Sequence, residues 1–293
     1  MKQTTAIDRR PRQWLKLFLN HMDAWGVALI IAALALVVHG SLSVRYATIL
    51  LAVAGAYWLG FAYNDYQDAP LDALEQEKGR KNFFVGAQIP DKWVRLALVA
   101  VSGLFVLGAW LLFGFRGIGV MVISLLVIWA YSGRPLRLKS RPGLDLLTHA
   151  LFVESYPYMV TLWLLGAAWT RLDYALVTIL LLASLSAQLE QQLADYELDA
   201  RTEPNFTTWL GARRTLGLLR AVTIALALIA VVLVIEGTVP PYMIPFGLIA
   251  APMLARRFMQ GLGQHKTAAL TVGTLAAGLL YAAVALSVLV LAT

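Results

Sequence analysis

The stretch YWLGFAYNDYQDAPLD, residues 57–72, runs from an apolar half into an acidic half. Asp65, Asp68 and Asp72 follow directly on the end of an apolar run that is long enough to cross a membrane. Carboxylates are costly to hold near hydrocarbon, so acids at this position favour a functional role. A plain helix boundary is the simpler alternative, because the loops outside a membrane are polar.

The composition indicates an integral membrane protein. Hydrophobic residues make up 59% of the 293 residues and charged residues only 14%, against about 25% charged residues in soluble domains. A helix needs roughly 20 residues to cross the hydrocarbon core. Runs free of Asp, Glu, Lys and Arg that approach or exceed this length lie at 24–44, 46–64, 96–115, 117–133, 155–170, 174–189, 221–235, 237–255 and 267–293. We therefore expect an all-α membrane protein with nine transmembrane helices, since a β-barrel would show alternating rather than continuously apolar segments.

The basic residues are distributed unevenly between the two sides of the predicted bundle. With the N-terminal lead, residues 1–20, placed in the cytoplasm, only Arg45, Arg116 and Arg171 of the 24 Lys and Arg fall in outer loops. This asymmetry obeys the positive-inside rule and explains the net charge of +7 without a nucleic-acid partner. We expect a multi-pass protein of the cell inner (cytoplasmic) membrane. The absence of cysteine excludes disulfides and thiolate metal sites.

No linker divides the sequence, so we expect a single domain over residues 1–293. Its polar loops are longer on the predicted cytoplasmic side than on the other side. The loops at 64–93, 131–145 and 195–214 hold most of the chemically reactive side chains. This one-sided arrangement favours an active site that opens to the cytoplasm over a pore through the bundle.

Two acidic clusters follow the second and the sixth predicted helices. The clusters comprise Asn64, Asp65, Asp68 and Asp72, and then Asp195, Asp199 and Glu203. Spacings of three and four residues place the acids of each cluster on one helix face, although Pro70 is expected to loosen the last turn of the first. Oxygen ligands suit Mg²⁺, which takes one or two carboxylates together with substrate phosphates. Two such ions on facing helix ends would clamp a diphosphate leaving group.

Basic side chains suited to phosphate oxygens accompany these clusters. They are Arg134, Arg137, Lys139 and Arg141 in the loop YSGRPLRLKSRPGLD, residues 131–145, and Lys78, Arg80 and Lys81 after the first cluster. Each feature alone has a simpler explanation, because acidic helix ends are commonly solvated and basic inner loops satisfy the positive-inside rule. Two acidic clusters at equivalent helix ends, with a basic loop between them, are much harder to explain by chance.

The motifs N-D-x-x-D-x-x-x-D at 64–72 and D-x-x-x-D at 195–199 resemble those of the UbiA superfamily of intramembrane prenyltransferases. The resemblance spans nearly the whole chain, since the positions of both motifs and of the basic loop agree. It implies a helical bundle around a central cavity that opens laterally to the lipid bilayer. It also implies that Mg²⁺ assists the ionisation of a prenyl diphosphate donor, and that a lipophilic acceptor then attacks the allylic cation.

The resemblance assigns roles to residues of both clusters and of the basic loop. Two Mg²⁺ ions would be held by Asn64, Asp65, Asp68, Asp72, Asp195, Asp199 and Glu203, and the five aspartates of this set would be catalytic. The diphosphate would be bound by Asn64, Tyr131, Arg137 and Lys139. From their position alone we add Lys78, Arg80 and Lys81, and Gln192 on a polar stripe at membrane depth, to the expected diphosphate contacts.

The segment YSGRPLRLKSRPGLDLLTHALFV, residues 131–153, is similar to that of the carotenoid-extending members, the lycopene elongases. This favours a carotenoid such as lycopene as the acceptor. Quinone precursors, chlorophyllide, glycerol lipids and phosphoribose acceptors are the alternatives within the superfamily. A cation-coupled transporter is the alternative from another class, but transporter sites usually lie near the bilayer midplane, and these acids lie at one interface. At 82–83 the chain has Asn-Phe where many members have Arg-Pro.

Overall fold

The described residues of the computed structural model are 17–41, 43–87, 89–259, 261, 264 and 267–292. Within them the chain is helical and forms no strand, which confirms the all-α class. The α-helices are α1 Met22–Val38, α2 Val44–Asp72, α3 Gln76–Lys81, α4 Asp91–Ser132, α5 Leu144–Ala150, α6 Tyr156–Leu165, α7 Arg171–Ala194, α8 Tyr196–Thr202, α9 Phe206–Leu210, α10 Ala212–Ile235, α11 Ile244–Met259 and α12 Ala268–Ala292. Short 3₁₀ turns cover Leu138–Ser140 and Pro241–Met243, and a π-helical turn, Leu151–Ser155, joins α5 to α6.

Five of these helices, α2, α4, α7, α10 and α12, are long and apolar enough to cross a membrane. Large apolar side chains cover their outer surfaces: Leu111 of α4 is 70% exposed and Leu280 of α12 is 67% exposed. Such surfaces suit lipid, and the protein is a multi-pass membrane protein. The count of nine crossings and the orientation of the N-terminus remain predictions, and most of the predicted lead lies outside the described residues.

The 42-residue element α4 consists of two helices that meet at Gly114. Gly114 has a φ of 59° and a ψ of −142°, a conformation that a residue with a Cβ rarely adopts. The two halves of α4 approach each other closely beside this turn. A Cβ on Gly117 would lie 2.1 Å from the carbonyl oxygen of Ala109. The turn lies in FGFRG, residues 113–117, a segment that the sequence predicts as a short outer loop.

The ends of the helices that carry the acidic clusters differ from the prediction. Helix α2 continues through Pro70 to Asp72, so the predicted loosening at this proline was wrong. A proline near the end of a helix removes only one hydrogen bond, and the next turn closes through the bond from Ala73 N to Ala69 O. Helix α7 ends at Ala194, and Asp195 is the residue between α7 and the separate short helix α8.

The core packs α1 against α2, α6 and α12, and α7 against α5 and α10. Ile31 of α1, Tyr158 and Leu162 of α6, and Leu176 of α7 form one buried cluster. A second cluster holds Leu189 of α7 against α5 and α10. This packing brings the end of α2, the end of α4, the start of α5 and the end of α7 to the same end of the bundle.

Candidate active site

A cavity of about 350 Å³ lies between these helix ends, with a polar part near the loops and an apolar part deeper in the bundle. Its polar wall includes most of the predicted site residues: Asn64, Asp68, Asp72, Lys78, Tyr131, Lys139, Gln192, Asp195, Asp199 and Glu203. The two acidic clusters therefore face one space, as the sequence predicts. The deeper wall includes Phe61, Ile128, Phe152 and Val153.

Cations of the basic loop hold the first acidic cluster. Arg137 donates from Nη2 to Oδ1 of Asp68 at 2.9 Å, and the Nζ of Lys139 donates to the other oxygen of Asp68. Lys139 also donates to Oδ1 of Asn64 at 2.8 Å, and Ser132 donates to the same oxygen at 2.7 Å. Burial lowers the pKa of Lys139, although the charge of Asp68 opposes this shift. The ammonium group of Lys139 is thus paired with Asn64 and Asp68 of the first acidic cluster at the cavity wall.

Arg137 lies behind the cavity wall and links Asp68 to Glu203. Its guanidinium makes a two-pronged contact with Glu203, with 3.0 Å from Nη2 to Oε2, and Ser140 donates to Glu203 as well. Burial raises the pKa of Glu203, but the bonds from Arg137 and Ser140 outweigh burial and hold it below its ordinary value. Arg137 has a φ of 39°, which costs a residue with a side chain roughly 1–3 kcal/mol. Because Glu203 is engaged by Arg137, its metal-binding role stays a prediction.

The second acidic cluster carries two carboxylates close together. Burial and the neighbouring charge of Asp195 raise the pKa of Asp199 to about 6. The Nζ of Lys78 lies 3.7 Å from Oδ2 of Asp195, so a residue that follows the first cluster contacts the second. An arrangement of this kind favours a bound cation or a proton between the carboxylates.

Each cluster has an asparagine that orients its last aspartate, and sequence reasoning missed both. Asn82 donates from Nδ2 to Oδ2 of Asp72 at 2.8 Å and also to the backbone oxygen of Asp65. Asn205 donates from Nδ2 to Oδ2 of Asp199 at 2.6 Å. The signal was an Asn-Phe pair after each cluster, at 82–83 and at 205–206.

Besides Arg137, the structure places three more predicted site residues outside the cavity wall. Asp65 is buried, and its Oδ1 lies 2.8 Å from Nε2 of His21, which stacks on Phe61. Its carboxylate thus contacts the residue that precedes α1. Arg80 and Lys81 are exposed on α3 and do not line the cavity.

Gln192 lines the cavity, but both ends of its amide bind other parts of the protein. Its Nε2 donates to Oδ2 of Asp145 at 2.6 Å, and its Oε1 accepts from the backbone N and the hydroxyl of Thr207. Asp145, which is fully buried, also accepts from the backbone N of Phe206 at 2.8 Å. This network joins α5, α7 and α9, so the geometry gives Gln192 a structural task, and its contact with diphosphate stays a prediction.

A model of the UbiA prenyltransferase family matches residues 26–277. The chain belongs to this family. Solved structures of a UbiA homologue from Archaeoglobus fulgidus cover 94% of this chain, which in turn covers 99% of theirs. The TM-score is 0.77 at 19% identity for the structure bound to GPP and Mg²⁺, 0.74 at 19% for that bound to DMAPP and Mg²⁺, and 0.68 at 20% for that bound to Cd²⁺. At this identity the likeness shows a shared fold. No curated protein matches the sequence.

Membership of the UbiA family confirms that the protein is a prenyltransferase and sets aside the transporter alternative. Among the described residues, no three His, Cys, Asp or Glu side chains converge as a complete metal site. Mg²⁺ usually takes only one or two carboxylates and completes its shell with waters and substrate phosphates. The carboxylates that line this UbiA-family cavity are Asp68, Asp72 and Glu75 from the first cluster and the segment after it, and Asp195, Asp199 and Glu203 from the second cluster.

Proposed function

We propose that this protein transfers a prenyl group from an allylic prenyl diphosphate to a lipophilic acceptor with the help of two Mg²⁺ ions. The observation that carries the proposal is a single cavity with two acidic clusters at its polar end and apolar walls at its deep end. The binding of DMAPP or GPP with Mg²⁺ by the Archaeoglobus fulgidus homologue supports the same donor class here.

The polar end of the cavity suits the diphosphate. Asn64, Asp68 and Asp72 would hold one ion, and Asp195 and Asp199 the other. Bound Mg²⁺ would neutralise the diphosphate and stabilise it as a leaving group. Lys139 and Lys78, whose ammonium groups contact the two clusters, would then bind phosphate oxygens directly.

The deep end suits the allylic cation that forms when the carbon–oxygen bond to diphosphate breaks. Phe61, Phe152 and Tyr156 offer aromatic faces, which attract cations, and Ile128 and Val153 help to exclude water. Exclusion of water matters because water would otherwise capture the cation before the acceptor does. The acceptor attacks the allylic carbon, and a proton then leaves the product.

A carotenoid such as lycopene is the acceptor that we favour. The support is the similarity of residues 131–153 to carotenoid-extending enzymes, a segment that contributes Tyr131, Lys139 and Phe152 to the cavity. An acceptor of this class would reach the cavity from the lipid phase of the inner membrane. The clustering of Lys and Arg in the loops near the acidic clusters supports an opening to the cytoplasm.

The test is an incubation of the purified chain with labelled allylic diphosphates, with and without Mg²⁺, and with lycopene, quinone precursors, chlorophyllide, glycerol phosphate lipid or phosphoribose acceptors. We expect labelled product with lycopene, lost without Mg²⁺ and in Asp68→Asn and Asp199→Asn. Asp91→Asn is the matched control, because Asp91 is an exposed carboxylate outside the cavity. Product with another acceptor would overturn the carotenoid assignment, and the absence of donor binding would overturn the proposed reaction.

A further inference from the structure

Arg213 and Arg220 lie near the start of α10, at the end of the bundle that carries the acidic clusters. Helix α10 packs against α7, and Thr207, shortly before α10, is bonded to Gln192 of α7. Trp209 lies between Thr207 and the start of α10 and is 70% exposed. An exposed tryptophan beside a membrane-spanning helix is typical of the level of the lipid head groups. Arg213, four residues further along the chain, therefore lies near this level.

The two arginines belong to one face of α10 that continues into apolar residues. Arg213, Gly217 and Arg220 are separated by four and three positions, a spacing that places them on the same side of a helix. Gly217 is exposed, and a Cβ built on it meets nothing within 4 Å, so the surface between the arginines is open. The same spacing continues through three apolar residues with exposed fractions of 49%, 61% and 55%: Ile224, Leu228 and Val231. One face thus passes from two cations, across an open gap, to a hydrocarbon surface.

Arg213 and Arg220 make no ion pair with a carboxylate among the residues that the structure describes. The guanidinium of Arg220 donates at 3.5 Å to the backbone oxygens of Arg257 and Phe258, at the end of α11. This distance exceeds that of a good hydrogen bond, and a carbonyl oxygen carries no net charge. The face therefore keeps a positive charge that an anion can neutralise. The planar fork of a guanidinium matches the oxygens of a phosphate well.

We propose that this face of α10 binds an anionic phospholipid, with its phosphate between the two arginines and an acyl chain along the apolar residues that follow. Arg213 and Arg220 are seven residues, or about 10 Å of helix, apart, so that two long side chains can reach one phosphate over Gly217. Val231 lies eleven residues, or about 16 Å, beyond Arg220, which matches the roughly 15 Å of hydrocarbon in one leaflet. A lipid is a better occupant than free phosphate, because only a lipid also covers the apolar part of the face.

The positive-inside rule is the simpler explanation for arginines at this end of the bundle, because it requires no bound lipid. It concerns the number of Lys and Arg on one side of the membrane and not their arrangement. A lipid site requires these two arginines, whereas the rule treats any arginine on the same side alike. Arg95 is therefore the matched control. Its side chain is 71% exposed near the start of α4, and it pairs at 2.7 Å with Asp91, which contacts Tyr66 at the same end of the bundle.

The experiment measures lipid binding to the purified full chain in detergent by native mass spectrometry, with phosphatidylglycerol and phosphatidylcholine of identical acyl chains. We expect the unmodified protein to bind phosphatidylglycerol at least about tenfold more tightly than phosphatidylcholine. The double variant Arg213→Gln with Arg220→Gln should weaken phosphatidylglycerol binding about thirtyfold, or about fivefold for each charge removed, and leave phosphatidylcholine binding unchanged. Arg95→Gln should change neither affinity. The thermal unfolding midpoint without added lipid reports that each variant is folded.

Gly217→Glu tests where the phosphate lies. The open space at Gly217 accepts a side chain without a clash, and glutamate favours a helix more than glycine does, so the variant should fold. Its carboxylate would stand between the two arginines and repel a phosphate. We expect phosphatidylglycerol to bind at least about tenfold more weakly to this variant. An unchanged affinity would overturn the site between Arg213 and Arg220.

Three further outcomes would overturn the inference. Equal affinity for the two lipids would show that the charge of the head group is not read. A loss in Arg95→Gln equal to that in the double variant would show a diffuse effect of surface charge. Displacement of phosphatidylglycerol by glycerol 3-phosphate at a similar concentration would show a site for free phosphate and not for lipid. The proposed function does not depend on any of these results, because donor binding and product formation test it separately.

Discussion

Asn205 donates a hydrogen bond of 2.6 Å to Asp199, and its carboxamide is the contact that orients this carboxylate toward the cavity. Asn82 does the same for Asp72 at 2.8 Å. Both asparagines lie in the loop after their cluster, so each acidic motif brings its own orienting amide. Side chains that hydrogen-bond a metal-binding carboxylate fix its orientation, and their loss typically lowers metal affinity by about 10–100-fold.

We predict that Asn205→Ser lowers the affinity for Mg²⁺ by about 10–100-fold. Asn205 also caps α9, because its Oδ1 accepts from the backbone N of Thr208. Serine can still cap a helix but is too short to hold Asp199. The measurement is the Mg²⁺ dependence of donor binding. Thr208→Val is the control, since it disturbs the same cap and leaves the amide in place; an equal effect in both variants would contradict the prediction.

Asp65 and Asp68 should behave differently although they belong to one motif. Asp68 lines the cavity, whereas Asp65 pairs with His21. We predict that Asp68→Asn abolishes Mg²⁺-dependent donor binding, and that Asp65→Asn retains it but lowers the thermal unfolding midpoint. Titration with a prenyl thiolodiphosphate and thermal unfolding in detergent measure the two effects. Loss of binding in a folded Asp65→Asn protein would place Asp65 among the metal ligands after all.

Much of the site could be predicted because its residue types are unusual in a membrane protein. Acids next to membrane-length apolar runs are costly. A four-residue spacing places Asp195 and Asp199 together because Asp195 caps the short helix α8 that contains Asp199. The contribution of the basic loop could be predicted for the same reason, because a charged side chain such as that of Lys139 is unusual beside a membrane-spanning helix.

Sequence reasoning missed Asn82 and Asn205 although they lie only 10 and 6 residues from their aspartates, and it also missed pairs whose partners are distant in the chain. His21 reaches Asp65 across 44 residues, and Asp145 reaches Gln192 across 47. No local pattern marks such pairs, because they depend on how helices pack and on the rotation of each helix about its axis. The contact of Asp65 with His21 is another such case, and a motif written as letters does not show it.

The raised pKa of Asp199 predicts a pH dependence of Mg²⁺ binding. The pKa in the folded protein is about 6, above the ordinary value of 3.8, so the stabilising protonated form is lost as the pH rises through 6. Above this pH the charged Asp199 faces Asp195, and a cation relieves the repulsion. We expect Mg²⁺ to raise the unfolding midpoint more at about pH 7.5 than at about pH 5. Asp199→Asn should remove most of this difference, and an unchanged difference in that variant would contradict the assignment.

Glu190 lies on the face of α7 that points away from the cavity and joins α7 to α11. Its Oε1 accepts from Arg256 at 2.6 Å and its Oε2 from Arg257 at 3.0 Å, and Arg257 also donates to Ser186 at 2.7 Å. Glu190 and Arg257 are 2% and 4% exposed, so solvent screens this cluster little. Helix α7 ends at the second acidic cluster. The ion pairs of Glu190 with Arg256 and Arg257 therefore fix the position of the helix that presents Asp195.

We predict that Glu190→Leu destabilises the protein by about 3–5 kcal/mol, because it leaves the buried Arg257 without its anion. The measure is the thermal unfolding midpoint in detergent. Glu236→Gln is the control: Glu236 pairs with Arg171 at the surface, where both side chains are exposed, and its loss should cost less than about 1 kcal/mol. The double variant Glu190→Leu with Arg257→Met should recover part of the loss, since it removes a buried charge along with its partner. If Glu190→Leu unfolds at the same temperature as Glu236→Gln, the cluster does not hold α7 in place.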